Sequence, residues 1–214
     1  VDYQAKRFAY HRHADQTAAS SARHPVVIVG AGPVGLTLAL DLAQRGVRVV
    51  LLDDDDKLSI GSRAICFAKR TLEIWDRLGV GDAMVAKGVS WNVGKVFRDD
   101  RMLYEFNLLP EPGHERPAFV NLQQYYFEHF QLEALARHAT AAGAAESPQT
   151  HAGSIDLRRN NRVTGVVQIR DRVALTIQCP DGEYTLSCDW LIACDGAGSP
   201  VRKWLGIAAV GPER

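Results

Sequence analysis

Val26-Val27-Ile28-Val29-Gly30-Ala31-Gly32-Pro33-Val34-Gly35 decides the fold. Four β-branched residues in a row read as a strand buried on both faces, because a strand with one wet face would alternate with polar residues. The glycine-rich turn follows at once, and a helix follows the turn. Val34, Leu38 and Leu42 recur at i+4, and Gly35, Ala39 and Ala43 form a second stripe of small residues. Gly46 stands where a helix end favours a left-handed residue. Val49-Val50-Leu51-Leu52 is a second buried strand, ending at Asp53. Residues 26–53 therefore form one strand–helix–strand unit with parallel strands.

Gly30-x-Gly32-x-x-Gly35 is a weak pattern by itself. Here it follows a strand and opens a helix, and an acid stands eighteen residues past its last glycine. That context points to a dinucleotide. Gly30 permits the tight turn, Gly32 admits a pyrophosphate to the backbone, and Gly35 lets the helix pack on the strand. The helix N-terminus offers N–H groups to phosphate. The whole loop, with Ala31, Pro33 and Val34, becomes the candidate phosphate cradle. Asp53 is placed to accept hydrogen bonds from the two hydroxyls of an adenosine ribose and would repel a 2′-phosphate. FAD or NAD is expected, and NADP is disfavoured. Asp54, Asp55 and Asp56 extend the acidic turn, and consecutive carboxylates on one loop converge poorly on a metal ion, so no metal site is assigned.

Composition narrows the classes. Lys+Arg and Asp+Glu both number 25 in 214 residues, so there is no cationic excess to bind nucleic acid. No apolar run reaches the roughly 18 residues of a spanning helix, and no membrane partner is expected. Four cysteines (Cys66, Cys179, Cys188, Cys194) without a Cys-x-x-Cys pair fit reduced thiols in the cytoplasm. Residues 1–24, with His11, His13 and His24, read as an irregular, mobile arm. Residues 25–214 read as one dinucleotide-binding domain.

Further along, residues 68–79 and Gln124–His138 read as helices, and Trp91–Phe97 and Met102–Phe106 as strands. Asn107–Arg116 and Thr140–Gly153 read as loops. Arg162–Ile169, Val173–Cys179 and Tyr184–Cys188 are separated by turn residues and form an antiparallel meander of three strands. Trp190–Cys194 is again an apolar run of the kind buried on both faces, and Asp195-Gly196 ends it, where α/β sheets bind ligands. Pro200–Leu205 starts a short helix. The expected class is α/β: a Rossmann-like domain with a parallel sheet and an inserted three-stranded antiparallel meander.

Val26–Asp53, Gly61-Ser62-Arg63-Ala64-Ile65, Leu122-Gln123-Gln124-Tyr125-Tyr126-Phe127-Glu128 and Trp190–Gly206 together resemble the FAD-dependent aromatic hydroxylases. These are flavoprotein monooxygenases of the 4-hydroxybenzoate hydroxylase type, and the likeness is greatest to 3-(3-hydroxyphenyl)propionate hydroxylase-like members. The resemblance covers residues 26–207, with four motifs in the family's order. It implies that Gly30, Gly32 and Gly35 hold the FAD pyrophosphate and that Asp53 replaces the family's usual Glu on the ribose. It implies that Arg63 lies near the phosphates, that Gln124 contacts the ribityl region, and that Asp195 and Gly196 serve FAD and reduced-nicotinamide binding. It also implies that residues 91–120 contribute to a substrate-domain sheet.

The activity so implied is hydroxylation of a phenolic ring with O2 and NADH or NADPH as co-substrates. The flavin carries the chemistry, so no catalytic residue is assigned. Family members continue past the Asp-Gly motif to a second Gly-Asp motif, so the chain is expected to be the N-terminal portion of such an enzyme. Two alternatives stand beside this reading: a non-catalytic dinucleotide-binding module and an NAD-dependent dehydrogenase domain. Substrate, nicotinamide preference and self-association into a homo-oligomer are left open.

Overall fold

The computed structural model describes residues 6–18, 20–60, 64–143, 153–208 and 211, the side chains of 139–143 excepted. The chain divides into two compact units, Val1–Leu58 with Leu135–Arg214, and Ser59–Ala134.

The first unit is built on a six-stranded sheet. Its strands are β1 (Ala22–Val29), β2 (Val49–Leu52), β8 (Ile155–Arg158), β9 (Arg162–Ile169), β10 (Arg172–Cys179) and β11 (Gly182–Ala193). Their spatial order is β8-β2-β1-β11-β10-β9. β8, β2, β1 and β11 are mutually parallel, with Val26 beside Val49 and Trp190, and Val49 beside Ile155. β9, β10 and β11 run antiparallel as the expected meander.

β11 differs from the sequence reading. The third meander strand and the run Trp190–Cys194 form one continuous twelve-residue strand, pairing antiparallel with β10 and parallel with β1. Asp189, which falls between the two runs, continues the strand with its side chain exposed, and Arg23 Nε donates to its carboxylate at 2.7 Å. Nor is the run buried on both faces, since Trp190 is 71% exposed.

α1 (Pro33–Gln44) covers one face of the sheet with Gly35, Leu36, Ala39, Leu40 and Ala43. The small-residue stripe is thus the buried one, because a helix approaches a sheet closely only where side chains are short. Of the Val34–Leu38–Leu42 stripe, Val34 is 67% exposed and Leu38 and Leu42 are half-buried. On the other face, Val27, Val50 and Leu52 meet Val163, Leu175, Ile177, Tyr184 and Leu186 in one apolar cluster.

The segment before β1 departs from the expected mobile arm. β1 itself begins at Ala22. Phe8 N–H donates to the Asp56 carbonyl at 2.7 Å, and Leu58 N–H donates to that of Lys6 at 3.1 Å, so the arm runs beside residues 56–58. After it, a 3₁₀ turn (Ala14–Gln16) brings Asp15 to Arg158 at 2.6 Å and to His24 at 2.7 Å. Arg158 is 2% exposed and also binds Asp156 at 2.6 Å. A buried cation needs paired acceptors, and the arm supplies one of them.

In the second unit, α2 (Lys69–Arg77) and α3 (Gly81–Lys87) accompany a three-stranded sheet of β3 (Cys66–Ala68), β7 (Phe119–Asn121) and β4 (Val89–Trp91). β5 (Val93–Arg98) and β6 (Arg101–Asn107) form a separate hairpin. Phe67, Trp75 and Phe127 cluster with ring centroids 4.6–5.4 Å apart. α4 (Gln124–Gly143) starts in this unit and continues five residues beyond the expected His138, as the alanines there favour. Most of the expected loop 140–153 lies outside the described residues. Among the described residues, no helix is long and apolar enough to cross a membrane.

Candidate functional site

The carboxyl ends of the parallel strands gather the candidate residues of the first unit. Gly30 N–H donates to the Leu52 carbonyl at 2.7 Å, and Cys194 N–H to the Val29 carbonyl at 2.7 Å. The ends of β1, β2 and β11 are thereby tied side by side. Gly30–Gly35, Asp53 and Asp195-Gly196 all leave the sheet on this edge, the place where open α/β sheets bind ligands.

The three loop glycines have different reasons to be glycine. Gly30 has φ +100°, and a Cβ there would strike the Cys194 carbonyl oxygen. A Cβ on Gly35 would strike the Gly30 carbonyl oxygen. Both are demanded by packing. Gly32 has neither reason: its φ is −75° and a Cβ would meet nothing within 4 Å. Its neighbourhood is open space directly at the N-cap of α1. Pro33 has no N–H, and the first-turn N–H groups of Val34 and Gly35 have no acceptor within the helix. An anion in that space would meet these donors and the positive end of the helix. The loop fits a pyrophosphate.

Asp53 closes the loop. Its Oδ2 accepts from Ala31 N–H at 2.6 Å. Its Oδ1 accepts from Asp55 N–H at 3.0 Å and from Arg159 Nη1 at 3.1 Å. Burial pushes the carboxyl above its usual range, against the pull of Arg159 and of the two backbone N–H groups. A carboxylate offers about four lone-pair positions. Three are committed to the protein, which leaves room for a further donor such as a ribose hydroxyl. The sequence reading gave Asp53 only the ligand's side of this role. The acids after it are paired locally: Asp55 with Lys57 at 3.3 Å and Asp56 with Arg7 at 2.6 Å.

Asp195 Oδ2 accepts from Val201 N–H at 3.0 Å, and Ser199 Oγ from Arg202 N–H at 3.0 Å. Both side chains satisfy open donors in the first turn of α5 (Pro200–Trp204). Gly196 follows with φ +81° and open space at its Cβ position.

Gln124 begins α4 in the second unit, where it is buried and donates from Nε2 to Glu128 Oε1 at 2.7 Å. Glu128 Oε2 in turn accepts from Ser59 N–H at 3.0 Å. Arg63 lies outside the described residues.

Arg159 was missed by the sequence reading. It follows β8 directly, it is buried beside Asp53, and its guanidinium carbon lies 5.1 Å from the centre of the Phe8 ring. The signal was present as the pair Arg158-Arg159 behind Ile155-Asp156-Leu157. The strand that carries them is only four residues long and was not read.

Comparison with known proteins agrees with the geometry. Residues 23–214 match the FAD binding domain family. A 12-dehydrotetracycline 5-monooxygenase/anhydrotetracycline 6-monooxygenase of Streptomyces rimosus is 34% identical over 185 residues, 86% of this chain and 33% of that protein. A 3-(3-hydroxy-phenyl)propionate/3-hydroxycinnamic acid hydroxylase of Klebsiella pneumoniae is 30% identical over 191 residues, 85% of this chain and 30% of the relative. The crystal structure of a p-nitrophenol 4-monooxygenase from Pseudomonas putida superposes with a TM-score of 0.75 at 26% identity, covering 87% of this chain and 44% of that one. The chain thus spans about a third of the length of these curated relatives. With residues 23–214 matched, the chain belongs to the FAD binding domain family.

Proposed function

We propose that this chain is the FAD-binding portion of a flavoprotein monooxygenase that hydroxylates a phenolic aromatic substrate, with NADH or NADPH and O2 as co-substrates. The observation that carries the reading is the contrast within the loop. Gly30 and Gly35 are filled by the protein's own backbone, whereas Gly32 opens onto empty space at a helix N-terminus.

A bound FAD would supply the redox chemistry, the acceptance of hydride from reduced nicotinamide and the activation of O2. This chain's residues bind and orient it. The first-turn N–H groups of α1 hold the pyrophosphate, and Asp53 accepts from the adenosine ribose. Asp195 and Gly196 border the same strand edge and line the path of the dinucleotide. Arg63 is assigned to the phosphates and Gln124 to the ribityl region. No residue of this chain is assigned as acid, base or nucleophile.

The relatives' names support an aromatic substrate of the phenol class. The unbridged thiols of Cys66, Cys179, Cys188 and Cys194 support a reducing compartment, the cytoplasm. The test is titration of the purified chain with FAD, followed by flavin absorbance, and then NAD(P)H oxidation with and without a phenol. Flavin binding with phenol-dependent oxidation supports the whole proposal. Flavin binding alone supports only the FAD-binding part of it.

A further inference from the structure

Glu128, in the second turn of α4, is 4% exposed, and no cation pairs with it among the described residues. Its two oxygens are taken by neutral donors from the same unit. Oε1 accepts from Gln124 Nε2 at 2.7 Å, and Oε2 accepts from Ser59 N–H at 3.0 Å. A buried carboxylate without a cation is destabilising, and an apolar side chain of similar size would be more stable there. Glu128 therefore has a task other than packing.

A carboxylate accepts hydrogen bonds and never donates them. It obliges the Gln124 amide to present its NH2 group to Glu128, so an amide that could sit either way round is fixed one way. The Ser59 N–H holds the second oxygen, and the carboxylate cannot rotate out of this role. Gln124 is itself 8% exposed, and its Oε1 has no donor among the described residues. Ser59 Oγ, whose backbone sits on the same carboxylate, is buried and also has no partner among the described residues. One acid thus holds two residues that each keep a polar group unpaired. An acceptor and a hydroxyl suit a polyol, whose hydroxyl groups both donate and accept. We infer that Glu128 is a positioning residue for the flavin: it keeps Gln124 Oε1 turned out as the acceptor for a hydroxyl of the ribityl chain. This rests on the proposed place of Gln124 at the ribityl region, and it adds which end of that amide the ligand meets and which residue decides it.

The experiment is a double-mutant cycle on the full chain, titrated with FAD and with ADP, for the wild type, Glu128→Leu, Gln124→Leu and the double variant. ADP carries the adenosine and the pyrophosphate but no ribityl chain. Thermal melts establish that each variant is folded. Glu128→Leu and Gln124→Leu should each weaken FAD about tenfold, the size of one lost hydrogen bond, and the double variant should lose no more than Gln124→Leu alone. ADP should bind all four proteins alike. Glu128→Gln, which keeps one acceptor for Gln124, should fall between Glu128→Leu and the wild type. In the ligand-free wild type, NMR should show one proton of the Gln124 side-chain NH2 group shifted downfield and slow to exchange with water. Where Glu128→Leu does not fold, Glu128→Gln and this wild-type spectrum decide. Unchanged FAD affinity in the Glu128 variants, additive losses, ADP weakened in parallel, or a Gln124 amide that exchanges as freely as an exposed one would each overturn the positioning role and leave the FAD reading standing. A wild type that does not bind FAD would overturn the FAD reading and this role with it.

Discussion

Arg159 Nη1 lies 3.1 Å from Asp53 Oδ1, with the two side chains 7% and 13% exposed. The pair joins the end of β8 to the end of β2, and through Ala31 N–H on Asp53 Oδ2 it reaches into the glycine loop. Asp53 therefore shapes the loop, and its removal should cost stability before any ligand is added. Asp53→Ala leaves Arg159 buried without its carboxylate and Ala31 N–H without its acceptor, and should cost about 3 kcal/mol. Asp53→Asn keeps one acceptor oxygen and should fall between Ala and the wild type. Urea denaturation checks the order. Equal stability of all three proteins would show that the pair is incidental.

The three glycines should separate into two classes. Gly35→Ala sets a Cβ against the Gly30 carbonyl and should destabilise the fold by about 1–3 kcal/mol through overpacking. Gly32→Val meets open space and should melt close to the wild type. Thermal melts of both variants decide this, and a Gly32→Val protein that fails to fold would contradict the open cradle.

Asp156 gives a pH signature. Burial opposes its ionisation, but hydrogen bonds from His13 and Arg158 hold its carboxyl at about 2, below its ordinary 3.8. A depressed carboxyl contributes stability that is present above the unfolded value and lost as pH falls through the folded one. The wild type should therefore lose stability between about pH 4 and pH 2, and Asp156→Asn should lose less across that window. Denaturation midpoints measured against pH give the slope. Identical slopes would remove Asp156 from the acid transition.

Ser199 caps α5 through Oγ on Arg202 N–H. Ser199→Ala should cost about 1 kcal/mol and Ser199→Asp should recover most of it, as measured by the same denaturation method. An unchanged Ser199→Ala protein would mean that Asp195 on Val201 N–H holds the turn alone.

Periodicity served where one physical cause acted alone. β1 and β2 are apolar because both faces are covered, and the meander strands are bounded by turn residues. β8 escaped because Ile155-Asp156-Leu157-Arg158 is only four residues long, too short for its alternation to stand out, and its charges pair with each other and with Asp15, His13 and Tyr184, distant partners that no local pattern announces. The arm escaped for the same reason, since its order comes from Arg158 and from residues 56–58. α3 was hidden by Gly81, which is needed because a Cβ there would strike the Asp76 carboxylate. In α1 the stripe of larger residues was given equal standing with Gly35, Ala39 and Ala43, although close approach to the sheet favours the smaller ones. Of the site, Gly30–Gly35, Asp53 and Asp195-Gly196 could be read from strand ends and spacing. Arg159 could not, because its meaning depends on Phe8 and Asp53 arriving from far along the chain.

The proposed place of Gly32 is beside the pyrophosphate of a bound flavin dinucleotide. Its most direct test is FAD titration of the wild type and Gly32→Val side by side, after their melts have been compared. The wild type should bind FAD, and Gly32→Val, folded as well as the wild type, should lose at least about a hundredfold in affinity, because the branched side chain occupies the space the phosphates need. A folded Gly32→Val protein that binds FAD with undiminished affinity would contradict it.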